Sequence, residues 1–191
     1  MAVTTELVKE LRARTGAGIM DCRRALEESG GDLERAADLL RLKGLAAAAK
    51  RADREASEGL VEAYVHAGSR LGALVEVNCE TDFVARTEEF KRLARELAMQ
   101  VAATSPRFLS REEIPAETLA EQRAAIAREA DGAPEAEIDR RLQQWIQDVV
   151  LLEQPYIRDA GRRVADLVSE AAARTGEHVR VRRFARFKLG E

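Results

Sequence analysis

The apolar residues of this chain change their period at Gly59. Before it they recur every three or four positions; directly after it they alternate; and from Thr87 onward the helical spacing returns. Such a pattern places a small sheet among helices and predicts an α+β fold.

Residues 4–43 read as three short helices, marked by Leu7, Val8 and Leu11, by Ile19 through Leu26, and by Leu33, Ala36, Ala37 and Leu40. Each is too short to stand alone, so the three must pack on one another as a module, assigned here to residues 1–44. Gly16 and Gly18 flank the first turn, while Gly30, Gly31 and Asp32 end the second helix and cap the third. The alanine-rich, charged stretch that follows, with Lys50, Arg51 and Arg54, has little to bury and reads as an exposed linker of high helix propensity over 45–58.

Residues 59–191 form the second unit. Val61, Ala63 and Val65 alternate with Glu62, Tyr64 and His66; Gly68, Ser69 and Arg70 then turn the chain into Leu71, Ala73, Val75 and Val77. The expectation is a hairpin with those apolar residues on one buried face. Thr87 is placed to cap a helix whose Phe90, Leu93, Ala94, Leu97, Ala98 and Val101 cover that face. An acidic stretch follows, with a capping box expected at Ser110 and Glu113 and a helix start at Pro115. It leads into the stripe Ile138, Leu142, Trp145, Ile146 and Val149, and a break at residues 131–134 makes the region about 112–152 a projecting helical hairpin. A last helix carries Val164, Leu167, Val168 and Ala171, and residues 179–187 form a third strand whose alternation slips at Arg182 and Arg183, the sign of a bulge. The predicted core is a three-stranded antiparallel sheet covered by helices.

Between the second strand and the Phe90 helix stand Thr81, Asp82, Phe83 and Val84. An acid and an aromatic at a strand-to-helix turn, with the aromatic outside the helix's apolar stripe, form a display suited to entering another molecule. The structural alternative has Phe83 folded back as a hydrophobic staple and Asp82 capping the turn.

Chemistry within the chain finds little support. Basic and acidic residues, 34% of the total, nearly cancel to a net charge of −3, which gives no reason to expect nucleic acid or an anionic membrane as partner. No phosphate-cradling glycine loop is present. Cys22 and Cys79 lack metal or redox spacing and read as buried reduced thiols. His66 or His178 with Cys79 and Glu80 would be needed for a thiol–base pair or a metal site, and strand histidines on a solvent face are the commoner case. Arg180, Arg182, Arg183, Arg186 and Lys188, interleaved with Phe184 and Phe187, raise a single-stranded nucleic-acid platform or ribosome-associated module as the alternative function; the structural reading is an exposed strand face over a core. No run of eighteen apolar residues exists and the first helix begins without a signal pattern, which predicts a cytoplasmic protein.

Two long motifs carry a resemblance. Residues 11–26, LRARTGAGIMDCRRAL, resemble the amino-terminal signature of the elongation factor Ts family, and residues 76–86, EVNCETDFVAR, resemble its core motif; 181–184 and 186–191 are similar to its carboxy-terminal strand. The chain resembles the short, single-core bacterial type. The resemblance implies a guanine nucleotide exchange factor for elongation factor Tu, not an enzyme in the covalent sense and without a cofactor or metal of its own. It implies that Phe83 intrudes between helices of the partner's GTPase domain, that Thr81, Asp82 and Val84 belong to the same contact, and that the amino-terminal module, similar to ubiquitin-associated folds, adds a second contact through Arg12, Ile19, Met20 and Arg23. Ile19 and Met20 are adjacent and cannot both face a small core, so one is left for a partner, although Met20 could equally be buried. Arg23 departs from the lysine usual in the family, which keeps the charge and alters the hydrogen-bond geometry. Longer members carry a duplicated core and a further helical module; short ones commonly pair as homodimers, and the same is expected here.

Overall fold

The computed structural model describes residues 3–191, apart from the side chain of residue 45. The first three helices, α1 (Thr5–Thr15), α2 (Ile19–Glu28) and α3 (Leu33–Ala49), enclose a small core of Leu11, Cys22, Ala25, Leu26 and Ala36. Their ends follow the residues that specify them: Gly16 closes α1 with a positive φ of 70°, and the Asp32 carboxylate accepts from the backbone N–H groups of Glu34 and Arg35 to open α3.

The third helix does not stop at Gly44. It continues through the alanines to Ala49, so the stretch expected as linker is helical in its first part. The reason is a partner invisible in local sequence: α3 packs on the last helix of the core, and Gly44 permits the approach, since a Cβ added there would lie 2.9 Å from that of Ala173. Ala48 reaches the edge of the main core.

The sheet is antiparallel, in the order β1 (Glu58–Val65), β2 (Leu71–Cys79), β5 (Arg180–Lys188). Central β2 turns Ala73, Val75, Val77 and Cys79 inward onto helix α5 (Glu88–Thr104), whose Phe90, Leu93, Ala94, Leu97, Ala98 and Val101 are all buried, as their spacing predicts. In β5 the pairing jumps from Glu76–Arg183 to Val77–Val181, leaving Arg182 as the extra residue of the expected bulge.

β1 shows the opposite phase from that expected. Leu60, Glu62 and Tyr64 stand opposite Val77, Val75 and Ala73 and share their inner face, while Val61, Ala63 and Val65 face outward and are exposed. β1 is an edge strand, so α5 only half covers its inner residues and polar groups are tolerated there; Glu62 lies 3.5 Å from Arg95 of α5. Register with β2, not the local count of apolar residues, sets the face.

Helices α6 (Ala116–Glu129) and α7 (Glu135–Val149) form the helical hairpin around a separate core of Ile126, Leu142, Ile146 and Val150. The Ser110 hydroxyl makes no cap; Glu113 instead accepts from the Leu109 N–H, so the expected capping box is absent and the segment is one short 3-10 turn. A ribbon of β3 (Pro155–Tyr156) and β4 (Asp159–Arg163), which the sequence did not suggest, leads into α8 (Val164–Thr175). Buried Gln100 of α5 ties this region down, its amide donating to Gln154 and to the Pro155 carbonyl while its oxygen accepts from the Ile157 N–H.

The narrowest point of the sheet is Gly59, at φ 144°, where an added Cβ would meet the Val77 carbonyl oxygen at 2.1 Å. Gly59→Ala is expected to lower stability by about 2–4 kcal/mol through strain and a backbone clash, read as a shift in the urea midpoint at unchanged m-value.

Candidate functional site

The turn from β2 to α5 contains a single helical turn, α4 (Asp82–Ala85). Thr81 is its N-cap: the hydroxyl accepts from the Val84 N–H at 3.4 Å. One turn of helix puts residues 82 and 83 on one side and 84 and 85 on the other. Val84 and Ala85 are buried in the main core, and Phe83 is thereby held outward, 77% exposed. The staple arrangement is not adopted, and the cap is Thr81 rather than Asp82.

Leaving such a ring in water forgoes about 1.5–3 kcal/mol of burial. The scaffold around it is packed and hydrogen-bonded, so the exposure is imposed by the fold. Thr87 caps α5 by accepting from the Phe90 N–H, and its own hydroxyl donates to the Val84 carbonyl. Asp82 is exposed and pairs with Arg86 at 2.6 Å, an i,i+4 surface contact worth only about 0.3–0.5 kcal/mol and therefore easily exchanged for another partner.

Not every expected residue lies on the outer surface. Val84 is 6% exposed and anchors the turn from beneath, which removes its side chain from any partner contact. The Thr81 hydroxyl is committed within the chain. Glu177, from the loop between α8 and β5, was not suggested by the sequence: its carboxylate accepts from the backbone N–H groups of Glu80 and Thr81 and from the Thr81 hydroxyl. A separation of 96 residues hides this contact from any local pattern.

In the amino-terminal module, Arg12 and Arg23 are exposed, with Arg23 3.0 Å from Glu27. Ile19 and Met20 are 56% and 63% exposed, so the module leaves two apolar side chains in water rather than one, and Met20 is not buried. The buried stripe of α2 is Cys22, Ala25 and Leu26, which leaves its first turn outside the small core.

The competing sites do not assemble. Cys79 and His66 lie at opposite ends of β2, because Cys79 pairs with Glu58 while the His66 N–H bonds to Leu71. The Cys79 thiol donates to the Thr81 carbonyl, and burial together with the Glu177 charge pushes its pKa up to about 11, the reverse of an activated nucleophile. No cluster of three or more His, Cys, Asp or Glu among the described residues is placed to hold a metal.

On β5, Phe184 packs inward while Phe187 faces outward, so the two rings offer no common stacking platform. The strand's cations are engaged: Arg183 bonds Glu76, Arg180 the Ala56 carbonyl, and Arg186 and Lys188 bond Glu191. The Arg183 guanidinium holds the Glu76 carboxyl below its usual range. A cleft of about 750 Å³ opens between the three-helix module and α8, away from Phe83. Among its cations, Arg24, Lys43 and Arg162 are paired with Asp21, Glu28 and Glu170. No helix of the described residues is long and apolar enough to cross a membrane.

Comparison with known proteins agrees with the motifs. The family model described as Elongation factor TS matches residues 47–191. The chain is 52% identical over 195 aligned residues to elongation factor Ts of Carboxydothermus hydrogenoformans, covering 99% of this chain and 90% of the relative. It is 53% identical to that of Caldanaerobacter subterraneus subsp. tengcongensis, with 99% and 98% covered, and 53% identical to that of Moorella thermoacetica, with 96% and 94% covered.

Removing an exposed ring should leave the fold intact, whereas removing its buried neighbour should not. Phe83→Ala is expected to stay within about 0.5 kcal/mol of the parent in urea unfolding, while Val84→Ala loses about 2 kcal/mol.

Proposed function

The chain belongs to the elongation factor Ts family, and on that basis we propose that it is a guanine nucleotide exchange factor, binding elongation factor Tu and promoting GDP release during translation elongation in the cytoplasm. The observation that carries the reading is Phe83, fixed in water at the tip of a turn whose other side is locked into the core.

The mechanism proposed is a wedge. Phe83 enters between helices of the partner's GTPase domain that hold the magnesium site and phosphate loop, and Asp82 exchanges Arg86 for a contact there. The partner loses magnesium coordination and phosphate hydrogen bonds, GDP leaves and GTP follows. No covalent step is involved. Linkage sets the size of the effect: if the factor binds empty partner more tightly than GDP-bound partner, GDP is weakened by the same ratio. A ten-thousand-fold weakening corresponds to about 5.5 kcal/mol of differential contact. One aromatic anchor supplies about 2–4 kcal/mol, so a second grip is required; Arg12, Ile19, Met20 and Arg23 are assigned to it.

The same reading includes a homodimer. The outer face of the sheet, turned away from α5, carries Val61 and Val65 of β1, Leu74 of β2 and Phe187 of β5, all exposed, with Ala63 and Ala185 between them. An apolar sheet face of this kind is an interaction surface, and a second copy of the chain supplies its complement. No direct nucleic-acid or membrane contact is part of the proposal, consistent with the engaged cations of β5.

With elongation factor Tu carrying fluorescent GDP, Phe83→Ala is expected to lower the stimulated release rate by roughly 30-fold at a given concentration. Stimulation at the parent level would overturn the wedge. Placing a charge on the outer sheet face, as in Phe187→Asp, should convert dimer to monomer in sedimentation velocity; Phe187 is 68% exposed in the single chain, so folding is not at stake. A monomeric parent at micromolar concentration would remove the dimer from the proposal.

A further inference from the structure

We propose that Glu177 is the positioning residue of the Phe83 wedge, an inference that rests on the exchange-factor reading above. A single helical turn cannot sustain itself, because nucleation fixes several residues for one hydrogen bond. Something outside α4 must hold it. Val84 and Ala85 anchor its inner side, but apolar packing alone leaves the polar entrance of the turn free to rotate.

Glu177 closes that entrance. One carboxylate oxygen accepts from the Glu80 and Thr81 N–H groups at 3.0 and 3.1 Å, and the other accepts from the Thr81 hydroxyl at 2.6 Å. The last bond has a directional consequence. With its proton committed to Glu177, the hydroxyl turns a lone pair toward the Val84 N–H, the bond that caps α4. Glu177 thus sets the rotor of the cap, and the cap sets the helical turn that carries Phe83.

Glu177 is itself held in place. Gly176 ends α8 at a positive φ of 73°, and the Glu177 N–H donates to the Thr175 hydroxyl at 3.4 Å. The neighbouring residue makes the reciprocal contact: the His178 N–H donates to the Glu80 carboxylate at 2.6 Å. The His178 ring nitrogen Nδ1 lies 2.7 Å from the Arg54 carbonyl oxygen, and the Arg54 guanidinium lies 3.5 Å from Glu80. Three segments distant in sequence therefore converge on the base of the wedge. The sheet and α5 keep their own hydrogen bonds and apolar core without Glu177, so its removal loosens residues 80–84 and not the domain.

The test uses the chain in five forms: parent, Glu177→Ala, Glu177→Gln, and Phe83→Ala with and without Glu177→Ala. Stimulated release of fluorescent GDP from elongation factor Tu is expected to fall about tenfold for Glu177→Ala, less than the roughly hundredfold that a full 1 Å misplacement can cost, because Val84 and Ala85 still anchor the turn. Glu177→Gln should recover only part of it: the amide oxygen still accepts from the two N–H groups, whereas the amide nitrogen meets the Thr81 hydroxyl as a donor and no longer commits its proton. Because Glu177 acts through Phe83, the double variant should be no slower than Phe83→Ala alone; a merely structural loss would add in full. In the free protein, amide hydrogen exchange at residues 80–84 should speed up in Glu177→Ala while that of Ala73–Val77 and Leu93–Val101 stays unchanged. Full stimulation by Glu177→Ala, full additivity with Phe83→Ala, or unchanged protection at 80–84 would each overturn the inference. A parent chain that fails to release GDP overturns the exchange reading instead, and the hydrogen-exchange result still decides whether Glu177 holds the turn.

Discussion

The inner face of β2 packed on α5 is the contact from which the rest of the core takes its geometry. Ala73, Val75, Val77 and Cys79 form one buried apolar cluster with Phe90, Leu93, Leu97 and Val101. Burial at about 25 cal/mol per Å² makes such a contact the main source of stability in a domain of this size. It also fixes the distance that the chain must cross between strand and helix. The crossing is the Thr81–Thr87 turn, so the direction of Phe83 is a by-product of how a strand and a helix pack. β1 and β5 take their register from β2, and α8 packs on α5 and α3.

Against that packed interior, apolar groups that remain in water include Phe83, the pair Ile19 and Met20, and the outer sheet face around Phe187. Each occurs where an element has already satisfied its burial on the opposite side. α4 buries Val84 and Ala85, α2 buries Cys22, Ala25 and Leu26, and the sheet buries its inner face on α5. A protein that acts by gripping a GTPase and pairing with its own copy, as proposed, needs such leftover surfaces, and here they lie on rigid elements rather than on loops. Rigidity matters because a wedge transmits free energy only if it yields less than the partner it enters.

Legibility in the sequence differed from element to element for physical reasons. The α5 stripe and the β5 bulge were readable because one-sided burial imposes a strict period. β1 was not, because both of its faces carry apolar residues and only pairing with β2 selects between them. The extension of α3 was hidden because its partner, Ala173 of α8, lies far along the chain. Val84 could not be told from Phe83 for the opposite reason: it stands in the same motif, and only the turn of α4 separates a buried neighbour from an exposed one. Glu177 carried no signal at all, since a lone acid after a glycine resembles any surface loop.

From sequence alone came the α+β class, the caps at Gly16, Asp32 and Thr87, the two long motifs that tie the chain to the elongation factor Ts family, and the candidacy of Phe83, because each depends on spacing within one segment. The tertiary structure alone decided which face of β1 is buried, that Val84 supports while Phe83 protrudes, and that Glu177 braces the turn between them. Those outcomes depend on contacts between segments far apart in sequence, such as the one joining Glu80 and His178 across 98 residues. Local periodicity records which residues can share a face, and only packing determines what that face meets.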